Sequence, residues 1–306
     1  MESKVAKNTY LKPINLKVVF NCLSIKRLLE EQLSASVILL KNQVHLSQRC
    51  VSFTDINKRN SSWYRLKLTD VGYRCAIAYP LAAQLQLPVI DVAQHLVHCL
   101  SSLKEEVNNT QVVNFHVQVV EPGWIDFYPS DRTLAIWLQQ LVLCESLSGE
   151  FFPVSPLPAD YIRLNNILPF QYVHSRCCAL LQLGHTEGFI ELEPVNLAST
   201  IERWFKPNPI PWLHPETKVF QLQHPSEQVL INQFLGIVDA FTHSSQSNWV
   251  QLTTNLSAAM LDFYRNCRIW GKTKQNTPSL AQARLGLVAI CQILLQQILS
   301  ERTQLG

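Results

Sequence analysis

NFHVQVVEPGWIDFYP, residues 114–129, decides the fold class. Its first half, 114–120, alternates polar and apolar side chains, the two-residue period of a half-buried strand. WIDFY, 124–128, is aromatic-rich and reads as a second strand. Pro122 and Gly123 supply the turn chemistry between them. A strand, a tight turn and a strand make a hairpin, set in a chain whose other long segments read as helices. The expected fold is therefore α+β.

Reading upstream from the hairpin, 90–104 follows Pro88 as a helix, and 74–86 reads as another. Segments 62–69 and 48–54 read as short strands, with Asn57, Asn60, Ser61 and Ser62 between them as turn residues. Segment 23–35 places Leu23, Ile25, Leu28, Leu29 and Leu33 on one face of an amphipathic helix. Downstream, Asp131 is the expected N-cap of a helix carrying Leu134, Trp137, Leu138 and Leu141. FFPVSPLPADY, 151–161, has three prolines in six residues and reads as a linker. Beyond it the expected helices are 169–183, ending at Gly184 as the C′ residue, then 197–204, 226–242, 248–269 and 278–301. The prolines at 207, 209, 211, 215 and 225 make an extended connection between the second and third of these. Trp249, Leu252, Leu256, Met260 and Phe263 fall on one helix face. Thr277 before Pro278 has the form of an N-cap followed by proline at N1. The expected organisation is a small α/β domain over 1–150, a proline-rich linker over 151–167 and an all-α domain over 168–306.

Composition narrows the function classes. The chain has 306 residues, 47% of them hydrophobic, enough for a sizeable core and too many for global disorder. Only 9 residues are glycine, against 16 prolines, which disfavours the glycine-rich phosphate loops of nucleotide-binding α/β folds. The net charge of +3 conceals a strong asymmetry. Residues 1–76 carry 13 basic and 5 acidic groups, 77–167 carry 3 and 9, and 261–306 carry 6 and 2. Two basic zones about an acidic middle point to a polyanionic partner, against the alternative of an ordinary solvated surface. The nine cysteines lack framework spacing, and MESKVAKNTY has no apolar core of a signal peptide, so reduced thiols and a cytoplasmic location are expected. The stretch 285–299 is interrupted by Gln292, Gln296 and Gln297, which favours a buried helix over a membrane span.

Catalytic and cofactor signatures are missing. The sequence has no CxxC, HExxH or GxSxG. His95, His98 and Cys99 lie within five residues but lack a fourth zinc ligand, and adjacent Cys177 and Cys178 diverge on a helix. Gly271-Lys272-Thr273 imitates the end of a P-loop, but Asn266 stands where the motif needs its first glycine. No cofactor, metal or membrane is expected.

Two segments carry a resemblance to a known family. YPLAAQLQLPVIDVAQHLVHCL (79–100) with VVEPGWIDFYPSDRTLAIWLQQL (119–141) resembles the N-terminal additional domain of arginyl-tRNA synthetases. LPFQYVHSRCCALLQLG (168–184), HPSEQVLINQFLGIVDAF (224–241), LSAAMLDFYRNCRIWG (256–271) and ARLGLVAICQILLQQIL (283–299) resemble their DALR anticodon-binding domain. Those enzymes place a class I catalytic domain between the two parts. Here 146–167 is too short to hold one, and HIGH- and KMSKS-type motifs are absent. The resemblance thus implies a non-catalytic, tRNA-binding protein acting as adaptor or chaperone. Its implied partners are a tRNA, arginine-accepting by analogy, and a tRNA-modifying enzyme or synthetase. A trans-acting subunit of arginyl-tRNA aminoacylation, or a protein-binding scaffold that has lost RNA contacts, are the alternatives.

The resemblance also nominates contacts. Tyr172 and Arg176 lie four apart on one helix face, as the corresponding Tyr and Arg do in the family. FYRNCRIWGKTK interleaves rings with cations, the composition that stacks bases and neutralises phosphates. It nominates Tyr264, Arg265, Arg268, Trp270, Lys272 and Lys274 for the anticodon loop. Phe263 reads as core, and Tyr172 could be core anchor or base contact. Trp124 and Asp126 stand at the turn that meets the tRNA D-loop in the family, with a carboxylate where that family has an amide.

Overall fold

The computed structural model describes residues 9–10, 14–15, 24–43, 63–67, 70–102, 112–143, 168–194, 202–242 and 248–300. The expected strand at 48–54, its turn residues and the expected linker at 151–167 lie outside them. The chain is an α+β protein that divides into two compact units, Met1–Thr133 and Leu134–Gly306.

The first unit is built on an antiparallel sheet of β1 (Thr9–Tyr10), β3 (Trp63–Arg65), β4 (Tyr73–Cys75), β6 (Phe115–Val120) and β7 (Trp124–Pro129), in the order β1-β6-β7-β4-β3. Strands β2 (Ile14–Asn15) and β5 (Val112–Val113) form a separate pair. Helices α1 (Ile25–Gln43) and α2 (Ala78–Leu85) pack against α3 (Val89–Ser102), which in turn packs on β6 and β7. Leu29, Leu33, Val92, Leu96, Phe115, Val117, Ile125 and Phe127 are buried between these layers.

The expected hairpin is present, with Phe115 opposite Pro129 and Val120 opposite Trp124. Its turn needs Gly123. The residue has φ +146°, and a Cβ there would come within 2.4 Å of Val89 Cγ1. The expected helix over 74–86 is shorter. Residues 73–75 are instead a strand, with Tyr73 and Cys75 buried and Arg74 on the opposite face. Pairing with β7 across 52 residues overrides the local helical signal. The expected cap Asp131 is the first residue of helix α4 (Asp131–Leu143), and the hydroxyl of Ser130 takes the capping role by accepting the Thr133 N–H.

The second unit is helical apart from one hairpin. Helices α5 (Leu168–Thr186), α6 (Pro225–Thr242), α7 (Trp249–Asn266) and α9 (Pro278–Ser300) pack on one another, and the short α8 (Lys272–Asn276) lies against α9. Trp249, Leu256, Met260 and Phe263 of α7 are buried, as their spacing predicts. The Asn248 side chain caps α7 by accepting the Gln251 N–H. Residues 278–299 are long and apolar enough to cross a membrane by length and composition, yet Leu285, Leu287, Val288, Ile290 and Leu295 are fully buried inside this unit.

Two local expectations change. Gly184 does not end α5, which runs on to Thr186. A Cβ at Gly184 would sit 3.2 Å from both Ile190 and Leu285, so the glycine admits close packing, and Gly188 takes the left-handed conformation beyond the helix end. The expected helix at 197–204 is contradicted at its end. Residues 202–206 form strand β9 (Glu202–Lys206), paired with β8 (Glu191–Pro194), with Trp204 buried between exposed Arg203 and Phe205. Thr277 directly precedes α9 with Pro278 as its first residue, as expected, and its carbonyl accepts the Ala281 N–H, while its hydroxyl donates back to the Thr273 carbonyl at the end of α8.

Candidate nucleic-acid interface

Helix periodicity sets Tyr172 and Arg176 one turn apart on α5. Both are on the exposed face, Tyr172 at 61% exposure. Tyr264 stands near the C-terminus of α7, where the apolar stripe turns Phe263 inward and leaves the next residue half-buried. The two helices pack together, and there Arg176 and Tyr264 meet. Arg176 Nη2 donates to the Tyr264 hydroxyl at 2.7 Å, and Arg176 Cζ lies 4.7 Å from the ring centroid. The guanidinium is thus both stacked and hydrogen-bonded on one tyrosine.

Beside this pair lies a cavity of about 760 Å³. Tyr172 and Leu261 line it together with Tyr264, Arg265 and the whole loop Cys267–Gly271. Arg265 and Arg268 are exposed, and neither guanidinium has a protein partner among the described residues. Lys272, just beyond the loop, is likewise exposed and unpaired. The site therefore offers an exposed ring, a stacked cation–ring pair and three available cations.

Two nominated residues are differently engaged. Lys274 pairs with Glu187 and lies 5.0 Å from the Phe189 ring centroid and 5.7 Å from that of Trp270. The Trp270 and Phe189 rings are themselves 6.4 Å apart, and the indole N–H is buried without an acceptor among the described residues. Trp270 shapes the cavity wall, while the charge of Lys274 is spent on the segment after α5.

In the first unit, Tyr64, Arg74, Asp126 and Gln118 form one cross-strand row on the sheet face opposite the core. Asp126 is 1% exposed. Arg74 grips it in a fork, Nε to Oδ1 and Nη2 to Oδ2, both at 2.7 Å. Its carboxylate oxygens are thereby committed inside the protein. Arg74 also lies 5.7 Å from the Trp124 ring, which Tyr64 and Tyr79 meet edge-on at 5.6 Å and 5.4 Å. Trp124 and Asp126 are the residues of this cluster that the hairpin motif signals, whereas Arg74, Tyr64 and Tyr79 carry no such signal. Strand register brings in Arg74 and Tyr64, helix α2 brings in Tyr79, and no local motif encodes either.

Reactive groups are subdued. Burial pushes the Cys267 thiol, at the cavity wall, up to about 12, helped by the carboxylate of Glu227. Cys75 is likewise pushed up to about 12 by burial. The Cys177 thiol, hydrogen-bonded to Cys291 in the core, is raised well above its ordinary value by that bond and by burial. Thiols held protonated are poor nucleophiles. His95 turns Nδ1 to the Asp91 carbonyl, an ordinary helix contact. Among the described residues no group of three His, Cys, Asp or Glu could hold a metal ion.

Comparison with family models, curated proteins and solved structures returns no match for this chain.

Proposed function

We propose that this protein binds tRNA without catalysing a reaction on it, with the helical unit taking the anticodon loop. The observation that carries this reading is the Arg176–Tyr264 stack beside a cavity flanked by the unpaired cations Arg265 and Arg268. Unpaired RNA loops are recognised by such means: rings and guanidinium planes stack splayed bases, and neighbouring cations hold phosphates. A purely apolar docking groove would not need two cations at its rim that have no partner among the described residues. The resemblance of 168–184, 256–271 and 283–299 to the DALR domain supports the same assignment. On this reading the protein is an adaptor or chaperone that presents tRNA to a modifying enzyme or synthetase.

The test is tRNA binding by the full chain across a salt series. Neutralising three or four phosphates should lower affinity steeply, by roughly tenfold or more between 50 and 200 mM salt. Replacing Tyr264 by Ala should weaken binding by about 1–3 kcal/mol while the protein stays folded. No tRNA binding by the wild type, or a folded Tyr264→Ala protein that binds unchanged, would refute the proposal. Faster arginyl-tRNA formation by a separate synthetase chain when this protein is added, read in an aminoacylation assay, would mark the trans-acting role.

A further inference from the structure

The loop Cys267–Gly271 contributes five consecutive residues to the cavity wall, and it is held from beneath. Cys267 and Ile269, 1% and 2% exposed, root it in the core. Between them the Arg268 carbonyl accepts from Arg284 Nη1 at 2.6 Å. The same guanidinium donates through Nε to Glu227 Oε1 at 2.7 Å. The other oxygen of Glu227 accepts the His224 N–H at 2.8 Å. Glu227 and Arg284 are nearly enclosed, with side-chain exposures of 1% and 12%. One planar group on α9 thus ties the start of α6 to the loop that follows α7.

An enclosed ion pair is a poor source of net stability, because desolvation offsets the attraction. What a guanidinium adds is direction: its donors point in a rigid fork. Here one arm of the fork fixes the main chain of the residue whose own side chain is an unpaired cation at the cavity. We infer that Arg284 is a positioning residue for this cavity, setting through the Arg268 carbonyl the direction from which Arg268 meets its ligand. The inference rests on the RNA-binding reading above. The Nε and Nη1 of Arg284 are both spent within the protein.

Arg284→Lys in the full chain keeps a positive charge beside Glu227 but cannot hold both acceptors in one plane. Amide hydrogen exchange over 267–271 should quicken about tenfold while that of 285–295 stays as in the wild type. Affinity for tRNA should fall about tenfold, with the slope of log affinity against log salt unchanged. A second variant, Glu227→Gln with Arg284→Met, removes the charge pair as a unit and should loosen the loop in the same way if the lysine variant misfolds. Unaltered loop exchange in both variants would overturn the inference. So would faster exchange spread over the whole helical unit, which marks a mere structural prop, or a salt slope reduced by about one in the Met-containing variant but not in the lysine variant, which marks a phosphate contact. Loop loosening in a protein whose wild type binds no tRNA would uphold the positioning role and sink the RNA reading instead.

Discussion

Lys274 is a cation already committed to its neighbours. Its ammonium sits against Glu187 and the faces of Phe189 and Trp270, so only part of its charge is available to a phosphate. The pair is partly exposed and contributes little to stability. Replacing Glu187 by Gln should leave the melting temperature within a degree or two. It should raise tRNA affinity several-fold and steepen the salt slope by about one, as one more cation becomes available. An unchanged slope in a salt titration would show that Lys274 faces away from the RNA. Residue identity alone could not tell Lys274 from Arg268. Both stand in one basic stretch, and the difference lies in Glu187, 87 residues away. Asp126 teaches the same lesson: its place in the hairpin was legible, but its commitment to Arg74 depends on strand register.

At the scale of elements, local pattern performed well where one face repeats regularly. The α7 stripe, the 115–129 hairpin and helix α9 were all readable from periodicity and turn residues. It failed where pairing between distant segments decides, at β4 and β9. The glycine of ARLGLV shows a third case. Gly286 lies under Trp212, whose Cη2 would be 2.4 Å from an added Cβ. Alanine at 286 would gain up to about 1 kcal/mol in helix propensity. The buried indole, 2% exposed, has little room to retreat, so overpacking of about 1–3 kcal/mol should prevail. Gly286→Ala should therefore lower the melting temperature, and a rise would show that Trp212 can shift freely.

The α5–α9 contact should also respond to pH. His174 is half-buried, and burial lowers its pKa. Its Nε2 lies 3.3 Å from the Gln292 amide nitrogen, which donates to the neutral ring. The stability this neutral histidine contributes is present above the ordinary value near 6.5 and is lost as pH falls below it toward the lowered folded-state value. Melting curves from pH 8 to pH 5 should fall more steeply for the wild type than for His174→Gln. Parallel curves would show that the ring is protonated in the folded state without penalty.

For the whole molecule, the decisive matter is where the helical unit begins. The proline-rich stretch sets the expected start of the helical domain at 168, whereas the compact unit begins at Leu134. Helix α4 supplies the reason. Gln139 Oε1 accepts from the Ile210 N–H at 2.9 Å and from Trp212 Nε1 at 3.0 Å. Trp212 is the ring packed on Gly286, so α4 satisfies the polar edge of a side chain whose face closes the core around α9. The buried residues Leu134, Trp137, Leu138 and Leu141 add apolar surface on the same helix. A fragment starting at 168 loses this helix, exposing apolar area and leaving two donors without their acceptor, at about 1–3 kcal/mol for each that remains buried. A fragment spanning 130–306 should therefore melt several degrees above one spanning 168–306, and both should be compared by calorimetry at equal concentration. Gln139→Ala in the longer fragment should reproduce part of the loss, because it removes the acceptor while keeping the helix. Equal melting temperatures for the two fragments would show that α4 is dispensable to the helical unit.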